Sequence, residues 1–411
     1  MCVRWLCLAA LAATATVLAG CGGVGVSGAN EATGNLLAVY SSLPLQGPAA
    51  ASSAEIVDGE RLALAQAGGH VGKFKVGYVS LDDANPQSGK LDPEATSTNA
   101  KTAAQDTSTI AYLGELGSPA TAVSLPLINA AGILQVSPSS PYVGLTSSLD
   151  AGQDEPERFY PSGKRSFGRL QTGDPGQADA QLQLMRTLGV RKLYVLDDQD
   201  PFALPLAEIV SAQAQRAGIA LAAHDSILTT APTQAAYAGE AEKIARAKPD
   251  AVFFAGGTQT GTAALWRALH RAEPKLLLLG TSALEEPAFT GAIGAAGSQT
   301  YLTTPILPLA DYPPPAARVL ADYRRRFGGR PGPYALYGYE TMSVVLDAIR
   351  RAADRGNDRQ TVIDRFFQTK DRHSVLGTYS VLASGETTLS RYGVDRVSDG
   401  RAVFYRAFDV H

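Results

Sequence analysis

Two series of short, nearly all-apolar runs, each alternating with helical patterns, constrain this chain more than any other feature. The first series is Leu36 to Tyr40, Lys75 to Leu81, Ile110 to Leu113 and Ile133 to Val136. The second is Lys192 to Leu196, Ile219 to Ala223, Ala251 to Ala255 and Leu276 to Leu279. Runs this short and apolar are what parallel strands buried on both faces require. Helical stripes lie between them, such as Ile56, Gly59, Ala63 and Ala67, or Ala178, Leu182 and Met185 with Gly189 as a stop signal. Strand–helix alternation predicts right-handed βαβ units and a doubly wound α/β sheet. It occurs twice, separated by a Ser-, Gly-, Asp- and Pro-rich stretch around Leu145 to Leu170. The fold class is therefore α/β, with two doubly wound parallel-sheet lobes. Later helical patterns cover Ala316 to Phe327 and Tyr334 to Ala353, and the end, Thr378 to Phe408, alternates like antiparallel strands. Ligands in such folds bind beyond the carboxyl ends of the strands, here in a cleft between lobes.

Composition excludes several classes. The 411 residues carry a formal charge of -3, with no basic face to suggest nucleic acid or a polybasic membrane patch. The three cysteines, Cys2, Cys7 and Cys21, all precede the folded part, so neither a disulfide framework nor a thiolate metal site is expected there. The five histidines have no paired metal spacing, and no nucleophile elbow, phosphate loop or dinucleotide fingerprint is present. No cofactor, no metal and no catalytic residue is expected. Asp82 and Asp83 end a strand, where carboxylates commonly fix a turn. Arg324-Arg325-Arg326 reads as a solvated helix face.

The N-terminus reads as a targeting segment. Arg4 precedes an apolar run from Trp5 to Leu18 that is too short to span a bilayer. Leu18-Ala19-Gly20-Cys21 resembles a bacterial lipobox, which implies a signal peptide over residues 1–20 and lipidation of Cys21. Residues 21–35 form a Gly-rich tether.

The folded part resembles the type I periplasmic binding proteins of branched-chain amino-acid ABC transporters. An ordered series of segments carries the resemblance: Tyr40 to Gly47, Asp58-Gly59 with Ala67-Gly68-Gly69, Leu81 to Ala84, Gly114 to Ser118, and Ala131 to Ser140. It implies a three-crossing hinge, with residues 36–168 plus 304–373 as lobe 1 and 169–303 plus 374–411 as lobe 2. It implies a non-enzymatic, extracytoplasmic monomer that captures an amino-acid-like small molecule and presents it to permease subunits. A ligand-sensing subunit on the same fold, or a secreted hydrolase, are the alternatives.

Ser118 stands between a strand and a helix, where spacing alone reads first as a plain N-cap serine and where a hydroxyl and free N–H groups also suit a carboxylate. In the family the matching serine holds the ligand's carboxylate. Ser139 and Ser140 occupy the next ligand loop, although the family's threonine position falls on Pro141. On the second lobe the resemblance points to Phe202, which reads equally as a core aromatic, and to Gly257 and Ser282. The last stands where family members use a glutamate for the ammonium group, with Glu285 and Glu286 nearby. That departure argues against a standard α-amino acid as ligand.

Overall fold

A computed structural model describes residues 31–227, 234–258 and 261–410. The first sheet comprises β1 (Leu36–Leu43), β2 (His70–Val71), β3 (Phe74–Asp82), β4 (Thr109–Leu113), β5 (Leu134–Ser137) and β6 (Phe167–Arg169), in the order β2-β3-β1-β4-β5-β6. All its pairings are parallel except the β2–β3 hairpin. The second contains β7 (Lys192–Asp197), β8 (Ala220–Ser226), β9 (Ala251–Ala255), β10 (Leu277–Thr281) and β11 (Thr300–Thr304). A small ribbon follows, β12 (Arg372–His373) with β13 (Thr378–Tyr379). The antiparallel pair β14 (Arg391–Ser398) and β15 (Arg401–Asp409) then completes the second sheet, in the order β15-β14-β11-β10-β9-β7-β8. All eight predicted strands are present. β6 and β11 are additional, because Phe-Gly-Arg and Thr-Tyr-Leu-Thr-Thr carry no apolar run that would mark them.

The helices are α1 (Ala50–Gln66), α2 (Pro93–Gln105), α3 (Ser118–Ala130), α4 (Asp174–Thr187), α5 (Leu204–Arg216), α6 (Gln234–Ala247), α7 (Thr262–Ala272), α8 (Pro287–Ala292), α9 (Pro314–Phe327), α10 (Tyr334–Ala352) and α11 (Arg359–Phe367). Local chemistry sets their starts. Asp92 caps α2 by accepting the Glu94 and Ala95 N–H groups, and Pro93 suits the first turn because its missing donor is not needed there. Gly189, at φ +74, ends α4 as its position predicts.

The small face of α1 is expected against a sheet but instead meets α10. A Cβ at Gly59 would lie 2.2 Å from the Ala335 carbonyl oxygen, and one at Gly338 would lie 2.0 Å from that of Ile56. Only glycine allows this close crossing.

The chain passes between the sheets three times: after β6, after β11 and before β14. This is the three-crossing connection of a two-lobed α/β fold. The first core joins Val39, Ile110 and Val136 of the sheet to Leu336 and Val345 of α10. It also takes in Val375, Tyr379 and Val381, from a segment the sequence assigns to the second lobe. Tyr379 is fixed there because its hydroxyl donates to Glu340 of α10 at 2.8 Å. The chain enters the second sheet at Arg391.

Candidate functional site

The strand ends β4 and β5 present adjacent loops at the carboxyl edge of the first sheet. Ser118 is the first residue of α3 and is buried. Its Oγ accepts the Tyr142 backbone N–H at 3.0 Å, which leaves the hydroxyl proton to donate elsewhere. Ser139 donates to Gln171 Oε1 at 2.6 Å. Ser140 adopts φ +57 and turns its hydroxyl inward, 2.7 Å from Thr121 Oγ1, 3.0 Å from Ser137 Oγ and 3.1 Å from the Glu115 carbonyl. The structure thus gathers the three predicted serines of the first lobe, with the Ser140 side chain engaged in holding the loop itself.

A buried arginine pins that loop from below. Arg169 Nη1 donates to the carbonyls of Ser140 at 2.5 Å and Tyr142 at 2.8 Å, and Nη2 donates to Thr146 Oγ1 at 2.8 Å. Its charge is paired with Glu386, Nε to Oε2 at 3.0 Å. Burial alone would raise the Glu386 carboxyl, but the Arg169 charge and its hydrogen bonds hold it below the usual range. Asp174, at the start of α4, accepts the Val143 N–H at 2.9 Å, and burial pushes its carboxyl up to about 7.

Deeper under the same loops lies a second acidic group. Glu115 Oε1 accepts the Tyr112 hydroxyl at 2.7 Å, while its Oε2 and both Asp83 oxygens are buried with no hydrogen-bond partner. Burial, with the neighbouring Asp83 charge, drives Glu115 well above the ordinary carboxyl range. Asp82 behaves as its strand-end position predicts. It accepts the Leu45 and Ala84 N–H groups at 2.9 Å each and Gln46 Nε2 at 2.7 Å, fixing the turn.

In the second lobe the last residue of β7 and the loop after it supply three aspartates that set the loop's course. Asp200 Oδ1 accepts the Phe202 N–H at 2.7 Å, and Asp198 Oδ2 accepts the Gly257 N–H at 3.0 Å. Asp197 is buried and binds His224 and Ser226. Phe202 and Gly257 are thus each tied by a backbone N–H to an aspartate of the same loop. The Phe202 ring reaches the first lobe and meets Tyr142 edge-on, with centroids 5.1 Å apart. Ser282 opens the turn after β10, where Thr281 Oγ1 accepts the Ala283 N–H at 3.3 Å. Among the described residues no hydrogen bond ties Ser282 to the other predicted site residues. Cys21 lies outside the described residues.

No signal in the sequence marks Tyr142, Arg169, Asp174 or Glu386. Their roles depend on partners far along the chain, and no local spacing reveals them.

Residues 41–401 match the family model described as periplasmic binding protein. The chain belongs to that family. No curated protein matches the sequence. Several solved structures share the fold of this periplasmic binding protein. A leucine binding protein from Thermotoga maritima is 19% identical, with a TM-score of 0.73, and the match covers 91% of this chain and 99% of that one. A branched-chain amino acid transporter substrate binding protein from Streptococcus pneumoniae, in complex with isoleucine, is 17% identical with a TM-score of 0.69 (91% and 99% covered). A solute binding protein of an ABC transporter from Rhodopseudomonas palustris, in complex with 3,4-dihydroxy benzoic acid, is 17% identical with a TM-score of 0.67 (92% and 98% covered). These relatives are transport substrate-binding proteins rather than enzymes. Among the described residues of this periplasmic binding protein, no helix is long and apolar enough to cross a membrane, and no group of three or more His, Cys, Asp or Glu side chains is placed to hold a metal ion.

Proposed function

We propose that this chain is an extracytoplasmic solute-binding lipoprotein, anchored through Cys21, that captures a small polar ligand between its lobes and delivers it to the permease subunits of an ABC transporter. The ligand is an amino acid or a related small acid or amide, and the working form is a monomer. Ser118, Ser139 and the Ser140 loop offer the first lobe's contacts. Phe202, Gly257 and Ser282 offer the second lobe's.

The observation that carries this reading is the contact between Tyr142, after β5, and Phe202, after β7, with the Tyr142 N–H on the Ser118 hydroxyl. Loops from the carboxyl ends of both sheets converge there, where ligands of parallel α/β folds bind. The proposed mechanism is hinge closure. A ligand bonds first to the serine side, and the second lobe then closes and excludes water. Closure follows only if the ligand binds the closed form better than the open one.

A thermal-shift screen across amino acids, amides and aromatic acids tests the reading. A ligand at a hundred times its Kd adds about 2.7 kcal/mol to stability. Turnover of the bound compound, or no stabilisation by any of the three classes, sinks the proposal.

A further inference from the structure

All three crossings between the lobes border one cavity of about 230 Å³. Leu170 and Thr172 come from the first crossing, Pro305 and Leu307 from the second, and Leu389 and Ser390 from the third. The cavity shares no lining residue with the serine-lined cleft. Hydrogen bonds brace its rim. Thr172 Oγ1 donates to the Leu389 carbonyl at 2.8 Å, and the Tyr337 hydroxyl of α10 donates to the Pro305 carbonyl at 3.0 Å. The floor, with Leu170, Leu307, Tyr312 and Tyr337, is buried and largely apolar. The mouth is charged. Arg391 and Asp409 stand opposite each other where β14 pairs with β15, and both are exposed. Arg391 Nη1 donates to the Asp311 carbonyl at 3.1 Å, and among the described residues no ion pair joins Arg391 to Asp409.

An apolar floor under a mouth of mixed charge selects its occupant. A cavity of about 150 Å³ already admits benzene, so there is room here for one ring and a small polar head. A carboxylate head would gain Arg391 but meet Asp409, and an amine would do the reverse. A carboxamide satisfies both: its oxygen accepts from the guanidinium and its amide N–H donates to the carboxylate. We infer that this cavity is an effector site at the hinge, which takes a small carboxamide with an apolar ring and biases the lobes toward the arrangement described above. This rests on the solute-binding reading and adds regulation to it. Hinge motion requires the crossings to change their backbone angles and mutual spacing. The cavity has its present shape while Tyr142 and Phe202 are in contact, so an occupant that fits it favours that arrangement. Because the solute in the cleft favours the same arrangement, each raises the affinity for the other by the same factor.

Calorimetry with benzamide, benzoate and benzylamine tests the inference. Benzamide is expected to bind the wild type. Arg391→Ala should weaken that binding at least about tenfold, and Asp409→Ala should weaken it too, with melting temperatures showing that both variants fold. Ser118→Ala should not change it. The cleft solute is then taken from the thermal-shift screen as a compound whose own binding ignores Arg391→Ala. With benzamide saturating, affinity for that solute should rise about fivefold or more. If benzamide fails to bind, or binds Arg391→Ala as well as wild type, the hinge site falls while solute binding stands. If it binds through Arg391 but leaves solute affinity unchanged, the effector role falls. If benzoate or benzylamine binds through Arg391 as tightly, the carboxamide assignment falls. If the screen yields no cleft solute, solute binding falls and the effector role falls with it.

Discussion

The rings of Tyr142 and Phe202 meet edge to face, with an interplanar angle of 74°. Tyr142 is fixed by three bonds, to Ser118 through its N–H, to Arg169 through its carbonyl and to Glu155 through its hydroxyl. Phe202 is only partly buried and sits on a short loop. An aromatic pair of this kind contributes about 0.5–1.5 kcal/mol beyond its buried area. Phe202→Ala should therefore leave the melting temperature near wild type but loosen the contact between lobes. Small-angle scattering of the ligand-free variant is expected to show a larger radius of gyration. An unchanged radius would mean that the pair does not hold the lobes together.

Ser118→Ala removes the acceptor for the Tyr142 N–H and the one proton left to donate to a ligand oxygen. If the serine bonds a charged ligand group, affinity should fall by roughly 1.5–3 kcal/mol, which is about tenfold or more. Calorimetry of wild type and variant against a ligand from the screen reads this directly. An unaltered dissociation constant removes Ser118 from the site.

Much of the architecture is legible in the amino-acid pattern. Strands such as Thr-Ile-Ala-Tyr-Leu are buried at every position and announce themselves as central. The serine loops follow strand ends and are found by position. The supports beneath them are not. Arg169 and Glu386 are 217 positions apart, and nothing near either residue signals a buried pair. The inward turn of Ser140 is equally silent, because its hydroxyl partners come from α3, β5 and the loop after β4. The segment 374–390 misleads for a different reason: its alternation suits the antiparallel end of the chain, yet Val375, Tyr379 and Val381 join the first core and Tyr379 bonds Glu340 of α10.

Gly59 and Gly338 predict a sharp contrast with other glycines. Both would drive a Cβ into backbone carbonyls, which cannot step aside as a side-chain tip can. Gly59→Ala or Gly338→Ala should cost about 1–3 kcal/mol in urea unfolding through overpacking at the helix crossing. Gly239, on the exposed side of α6, has no heavy atom within 4 Å of its Cβ position. Gly239→Ala should instead stabilise by about 0.5–1 kcal/mol. Equal effects at all three positions would refute the close α1–α10 packing.

The Arg169–Glu386 pair should be expensive to break from one side. Arg169 is fully buried and supports three loop acceptors besides Glu386. Arg169→Met leaves a carboxylate and those acceptors without their cation, and about 3–5 kcal/mol of stability is expected to be lost. The acid dependence has a definite sign. Glu386 titrates below its ordinary value when folded, so its stabilisation is complete above the unfolded carboxyl pKa of about 4.3. It disappears as pH falls through the folded value. Glu386→Gln should therefore lose most relative to wild type near neutral pH, with the gap closing on acidification.

Glu115 carries the opposite sign. Its folded carboxyl lies well above the ordinary range because of burial first and the Asp83 charge second. A proton on Glu115 gives the otherwise unpartnered Asp83 a donor, so folding takes up a proton here. The stabilisation is fully present below the unfolded pKa and is lost as pH rises through the folded one. Glu115→Gln keeps the shape and supplies amide donors at every pH. Melting curves should show the variant gaining on wild type as pH is raised from 4 to 8, while near pH 4 the two nearly coincide. A variant that loses ground at high pH would mean that Glu115 is charged in the folded protein and that the Asp83–Glu115 pair does not share a proton.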